Sequence, residues 1–209
     1  MRASGILLAV SSLPSKYGIG CFSKEAYEFV DQLKEAGQSY WQILPLGPIG
    51  YGDSPYQSFS TFAGNPYYIS LERLISYGWL TEEECRSVDF GDCEQFIDYG
   101  KLYEGRYELL RKAFVRSNII EAEAFTQFVE KKKAWLEDYA MFMALKNSYG
   151  GKCWSEWEEE IKFRNSDALA EKAQQLKDDI LFYEFLQFEF SRQWHDLKAY
   201  ANAQGIKII

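Results

Sequence analysis

Between Gly47 and Ser58 the chain reads Gly-Pro-Ile-Gly-Tyr-Gly-Asp-Ser-Pro-Tyr-Gln-Ser, which sets aromatic rings, hydroxyls, a carboxylate and an amide close together. A sugar presents hydroxyl edges and apolar C–H faces, so a carbohydrate site needs planar rings for stacking and short polar groups for the hydroxyls. Tyr51, Asp53, Ser54, Tyr56 and Gln57, with Asn65 a little further on, supply both kinds. The same residues also fit a structural Pro-Gly turn cluster whose tyrosines pack locally. Chemistry alone leaves the two readings level.

Other candidate groups are weaker. His195 is the only histidine, between Trp194 and Asp196. A Ser-His-Asp reading needs a nucleophile elbow such as GxSxG, which the chain lacks, so a structural histidine is expected. Asp89-Phe90-Gly91 matches a kinase triplet with no accompanying catalytic or glycine-rich loop. Asp89, Asp92, Glu94 and Asp98 lack calcium-loop spacing and read as a solvated acidic turn. The four cysteines, Cys21, Cys85, Cys93 and Cys153, form no CxxC pair. Free thiols in a reducing cytoplasm are expected, and neither a metal site nor a cofactor.

The elements that must hold the Gly47–Ser58 stretch are legible on either side of it. Ile6 to Val10 and Tyr40 to Leu44 are short apolar runs of the kind that form strands buried on both faces. Between them Ser23 stands at a cap, Ala26, Phe29, Val30 and Leu33 recur at helical spacing, and Gly37 sits where a terminal glycine belongs. The three together read as a parallel β-α-β unit. The Gly-, Pro-, Ser- and Tyr-rich stretch from Gly47 through Pro66 then becomes a long loop at a strand's C-terminal end, where α/β proteins place their sites. From about Leu71 the pattern turns helical and charged, with periodic segments near Tyr99 to Ser117, Phe125 to Ser148 and Asp178 to Ala203. Lys131 to Lys133 read as a solvated helix face. Gly205 to Ile209 looks like a further buried strand, and the chain is expected to be cut off within it.

Composition is ordinary for a globular protein of 209 residues, with 47% hydrophobic and 26% charged residues. The aromatic share of 17% calls for large flat surfaces, packed inside or lining a groove. A formal charge of −8 disfavours nucleic acid and anionic membranes as partners. The apolar run Ile6 to Val10 is too short for a membrane span or a signal-peptide core, so a soluble, cytoplasmic protein is expected.

Taken together, several segments resemble the 4-α-glucanotransferases, also called amylomaltases or disproportionating enzymes. Ser4-Gly5-Ile6-Leu7-Leu8, Ser11-Ser12-Leu13-Pro14 and Gly18-Ile19-Gly20 resemble the family's opening, and Trp41 to Pro48 its second barrel strand. Tyr51 to Ser58 and Phe62-Ala63-Gly64-Asn65-Pro66 are highly specific in combination, and Leu136 to Ala140 and Phe188 to Phe190 extend the similarity. Ala9 departs from the family, where many members carry histidine.

The resemblance implies an α/β fold, the N-terminal part of an α-amylase-like (β/α)8 TIM barrel with a mainly helical subdomain between strands 2 and 3. Residues 1–75 would form the first strands and helix with the substrate loop, 76–176 the insertion, and 177–209 a helix and the third strand. It further implies retaining transfer of α-1,4-glucan segments through a covalent glycosyl-enzyme, an Asp acting as nucleophile and a Glu as acid and base. Both carboxylates would lie beyond Ile209, leaving the 209-residue chain inactive alone and prone to self-association. Ser54 and Tyr56 match positions near the donor sugar, and Tyr51 a tyrosine of a secondary glucan-binding site. A non-catalytic glucan-binding module is the alternative, and an α-amylase-type hydrolase a weaker one.

Overall fold

The computed structural model describes residues 2–50, 52–93 and 95–209. Strands β1 (Gly5–Leu7), β2 (Tyr40–Gln42) and β3 (Lys207–Ile208) form one sheet in the order β1-β2-β3, with both pairs parallel. Gly5 stands opposite Tyr40, and Trp41 pairs with Ile6 on one side and Ile208 on the other. The crossover from β1 to β2 is helix α1 (Lys24–Glu35). Its apolar stripe buries Ala26, Val30 and Leu33, and the Phe29 ring meets the buried Trp41 edge-on at 5.1 Å. Trp41 Nε1 donates to the Leu8 carbonyl at 2.8 Å, so the central side chain of the sheet is both packed and hydrogen-bonded.

The ends of α1 follow the sequence with one difference. Gly37 takes φ +67°, its N–H reaches the Lys34 carbonyl and that of Gln38 the Leu33 carbonyl, which closes the last turn in the left-handed region a glycine adopts without strain. Ser23 does occupy the N-cap, but its hydroxyl makes no capping bond and donates to Glu25 at 2.5 Å. A carboxylate two residues on offers that hydroxyl a charged acceptor, a stronger partner than a neutral one.

The ladders are shorter than the apolar runs predict. After Leu7 the chain leaves the sheet and forms a 3-10 turn, Val10–Ser12, that buries Val10. Burial on both faces does not hold for β1, where Ile6 is 43% and Leu7 58% exposed. Parallel strands are covered on both faces only when further elements pack there, and among the described residues none does so over Ile6 and Leu7.

The chain divides into two compact units, Met1–Ser117 with Glu189–Ile209, and Asn118–Phe188. Beyond the β-α-β start, the first unit holds helices α2 (Leu71–Ser76), α3 (Glu82–Arg86) and α4 (Tyr99–Ser117). Helix α2 starts at Ser70, whose side chain accepts the Arg73 amide, and α3 at a reciprocal capping box between Thr81 and Glu84. The second unit holds α5 (Glu123–Ser148), α6 (Glu159–Lys162), α7 (Ser166–Gln175) and the first part of α8 (Lys177–Ala203). Leu145, Trp157 and Ile161 make a small core there, with Met141, Phe142 and Leu169 packed against it. Among the described residues no helix is long and apolar enough to cross a membrane.

Candidate functional site

The Gly47–Pro66 stretch leaves the C-terminal end of β2 as a loop, as its composition predicts, stitched by one antiparallel bridge between Ile49 and Ser58. Inside that bridge the Asp53 amide donates to the Gly50 carbonyl at 3.2 Å and the Gln57 amide to the Ser54 carbonyl at 3.1 Å. Gly52 at φ +91° and Asp53 at φ +55° turn the backbone through the left-handed region. For Asp53 this is a strained conformation, costing on the order of 1 kcal/mol, and such residues concentrate where a side chain must be aimed. Tyr56 is 72% exposed and Gln57 is exposed, whereas Asp53 and Ser54 are half-buried. Tyr51 lies outside the described residues.

Asn65 is placed differently from the rest. It is buried, and its side-chain oxygen accepts the Tyr67 amide at 3.0 Å, capping the 3-10 turn Pro66–Tyr68. Its own amide donates to the Leu46 carbonyl at 2.8 Å, so Asn65 ties the loop's return to its departure. Gly64 precedes it because a Cβ at that position would run into the Phe190 ring.

The structure adds partners that the sequence reading did not single out. Asp53 lies near enough to Tyr67 and Tyr99 that its negative charge adds to burial, the larger cause, in pushing both phenols above their ordinary range. The Tyr67 ring stands 6.4 Å from Tyr99 and 6.1 Å from Tyr107, and Tyr103 stands 5.6 Å from Tyr107. Tyr99, Tyr103 and Tyr107 recur every four residues and share one face of α4. That spacing was visible in the sequence, where it read only as an amphipathic helix. A cavity of about 710 Å³ is lined by Asp53, Phe96, Tyr99 and Lys101, among others. Of the predicted residues that are described, Asp53 alone lines it.

Two further contacts hold this region in place. Arg106 on α4 is fully buried and donates to the carbonyls of Tyr17, at 3.2 Å, and Ile69, at 2.5 Å, joining the Gly18–Gly20 segment to the chain after Asn65. Gln193 accepts the Ser70 amide at 2.7 Å and donates to the buried Glu189, which Arg192 also contacts.

The weaker candidates fall where ordinary structure puts them. His195 is exposed, with Nδ1 2.6 Å from the Ser191 carbonyl one helical turn back. Lys101 meets Asp89 at 2.7 Å and Asp92 at 3.7 Å across the acidic turn; Glu94 lies outside the described residues. All four thiols are free, and burial pushes Cys21 up to about 11. Among the described residues no three His, Cys, Asp or Glu side chains gather into a metal site.

Asp53, the half-buried Tyr99 and Lys101 line the open cavity, while Ser54, Tyr56 and Gln57 follow Asp53 on the same loop; groups of these kinds can bind a polyhydroxylated ligand. A family profile described as 4-alpha-glucanotransferase matches residues 8–209. The 4-alpha-glucanotransferase of Clostridium butyricum is 48% identical over 96% of this chain, and that of Thermus thermophilus 48% over all of it; each match covers 41% of the relative. An amylomaltase from Streptococcus agalactiae, solved in complex with acarbose, superposes with a TM-score of 0.93 at 41% identity over 100% of this chain and 42% of that one. An amylomaltase from Corynebacterium glutamicum, 21% identical with a TM-score of 0.73, shares the fold. The chain thus spans about two fifths of the length of the curated relatives it matches.

Proposed function

The chain belongs to the 4-alpha-glucanotransferase family, and from that membership we propose that it is part of an enzyme transferring α-1,4-glucan segments between maltodextrins with retention. Its three parallel strands are the first of an α-amylase-like (β/α)8 barrel, and the helical stretch between β2 and β3 is an insertion in it. The observation that carries the reading is the match over residues 8–209, which includes the whole Gly47–Pro66 loop at the C-terminal end of β2. Barrel enzymes place their sites at that end of the strands.

In the reaction an Asp attacks the anomeric carbon, and a Glu protonates the departing oxygen and then deprotonates the incoming 4-hydroxyl. These two residues stand outside residues 1–209, a placement supported by the 41% coverage of the relatives. This chain supplies orientation. Tyr56 stacks on the donor sugar with Ser54 and Gln57 reaching its hydroxyls, while Asp53, beside Tyr99, holds a glucan segment further along, and Tyr51 serves the secondary glucan-binding site that the family resemblance implies. Transfer prevails over hydrolysis when the acceptor sugar displaces water. The free thiols support a cytoplasmic setting.

The test is glucose release and chain-length redistribution from maltotriose, by the 209-residue chain beside the same chain extended to the full length of its relatives. Redistribution by the extended protein only is the expected result. Redistribution by the short chain would place the carboxylates within it and overturn the residue roles; none by either would overturn the activity.

A further inference from the structure

The helical unit Asn118–Phe188 contains a cavity of about 950 Å³, walled by α5, α6, α7 and the start of α8. This is within the range of small-molecule sites, roughly 300–1,000 Å³. Its apolar wall includes Met141, Leu145, Ile161, Leu169 and Ile180. Aromatic rings form one side. Phe142 lies 5.4 Å from Trp157, Trp157 stacks on Tyr149 at 5.3 Å and 20°, and Trp154 lines the cavity while 54% exposed.

The charged groups around the cavity select among occupants. Four carboxylates, Glu130, Glu137, Asp138 and Glu184, are set against three cations, Lys133, Lys162 and Arg164. Asp138 is paired with Arg164 at 2.5 Å, whereas Glu137 and Glu184 have no cation within 4 Å among the described residues. The near-balance of charge favours neither an anion nor a multiply charged cation. A purely apolar occupant would strip water from the carboxylates and return no hydrogen bond, at a cost of a few kcal/mol. A neutral polyol repays that loss, because its hydroxyls donate to Glu137 and Glu184 while its C–H faces lie on the rings. Burial, with repulsion from Glu137 added, raises Glu184 to about 7, so its carboxyl also donates part of the time near neutrality.

We propose that this cavity is an oligosaccharide-binding site, with Trp154 stacking on a sugar face, the buried Trp157 forming the wall behind it, and Glu137 and Glu184 accepting hydroxyls. That the sugar is an α-glucan rests on the function proposed above.

The experiment uses the complete protein and maltoheptaose as probe, read by hydrogen–deuterium exchange, with maltotriose disproportionation measured on the same preparation. Protection within residues 129–184 is expected, weakened about fivefold to tenfold in apparent affinity by Trp154→Ala and also by Glu137→Leu, whose side chains lie at the cavity and not in the small core. Protection confined to residues 46–107, protection that survives both substitutions, or protection produced by an apolar naphthalene probe and not by maltoheptaose would each overturn the site. Disproportionation without protection in the helical unit removes the site and leaves the proposed function. Protection without disproportionation does the reverse.

Discussion

Tyr56 and Asp53 sit three residues apart on one loop and differ in what holds them. Tyr56 is mostly exposed, so its ring contributes little to folding, and Tyr56→Ala should leave stability within about 0.5 kcal/mol. If the ring orients the donor sugar, the same change in the complete enzyme lowers kcat about tenfold to a hundredfold. Wild-type turnover by that variant would remove Tyr56 from the site. Asp53 is constrained by its backbone, and glycine is the one residue that relieves φ +55° without cost. Asp53→Gly should therefore keep the turn while deleting the charge that helps hold Tyr67 and Tyr99 high. Phenolate absorbance during a pH titration checks this. Both tyrosines should ionise at lower pH than in the parent, and an unchanged titration would mean that Asp53 points elsewhere.

At the scale of elements, Arg106 is the clearest case of one side chain fixing the relation between segments. It reaches two carbonyls from α4 while itself fully buried, so Arg106→Met leaves buried acceptors unmet and should cost about 3 kcal/mol in urea unfolding. A loss below about 1 kcal/mol would mean that those carbonyls find other donors. In the helical unit the pH dependence has a definite sign. Glu184 titrates near 7 when folded and in the ordinary carboxylate range when unfolded, so the unfolded chain releases its proton first as pH rises. Stability should fall between about pH 5 and pH 7 and level off above, and Glu184→Gln should flatten that slope. The long helices were legible in the sequence because many apolar residues repeat in each: Tyr99–Ser117 has the ends its period predicts, and α5 and α8 begin one or two residues early. The strands were over-read, since the run from Ile6 to Val10 shows that the residues are apolar but not where the ladder stops, and Val10 buries itself in a 3-10 turn instead. The loop was found from composition, whereas the closeness of Asp53 to Tyr99 was not. Periodicity shows that Tyr99, Tyr103 and Tyr107 share a face, and only tertiary packing decides what that face meets.

For the molecule as a whole, the parallel sheet sets the strongest condition. Ile6 and Leu7 on β1 and the 63%-exposed Ile209 just past β3 present apolar surface, and β1 and β3 each pair on one side only among the described residues. Unpaired strand edges with apolar side chains are a template for another chain. In the proposed barrel, neighbouring strands cover them. Expressed by itself, the 209-residue polypeptide offers no such partner among its described residues, and it should associate through the edges of β1 and β3. Sedimentation velocity should then show species above 24.3 kDa that grow with concentration. Lysine in place of Leu7 and Ile209 should shift them toward the monomer, because a charge on a strand edge opposes pairing. A sharp monomer boundary with cooperative thermal unfolding would mean that the short sheet is sufficient on its own, and would count against the barrel as the structure that completes it.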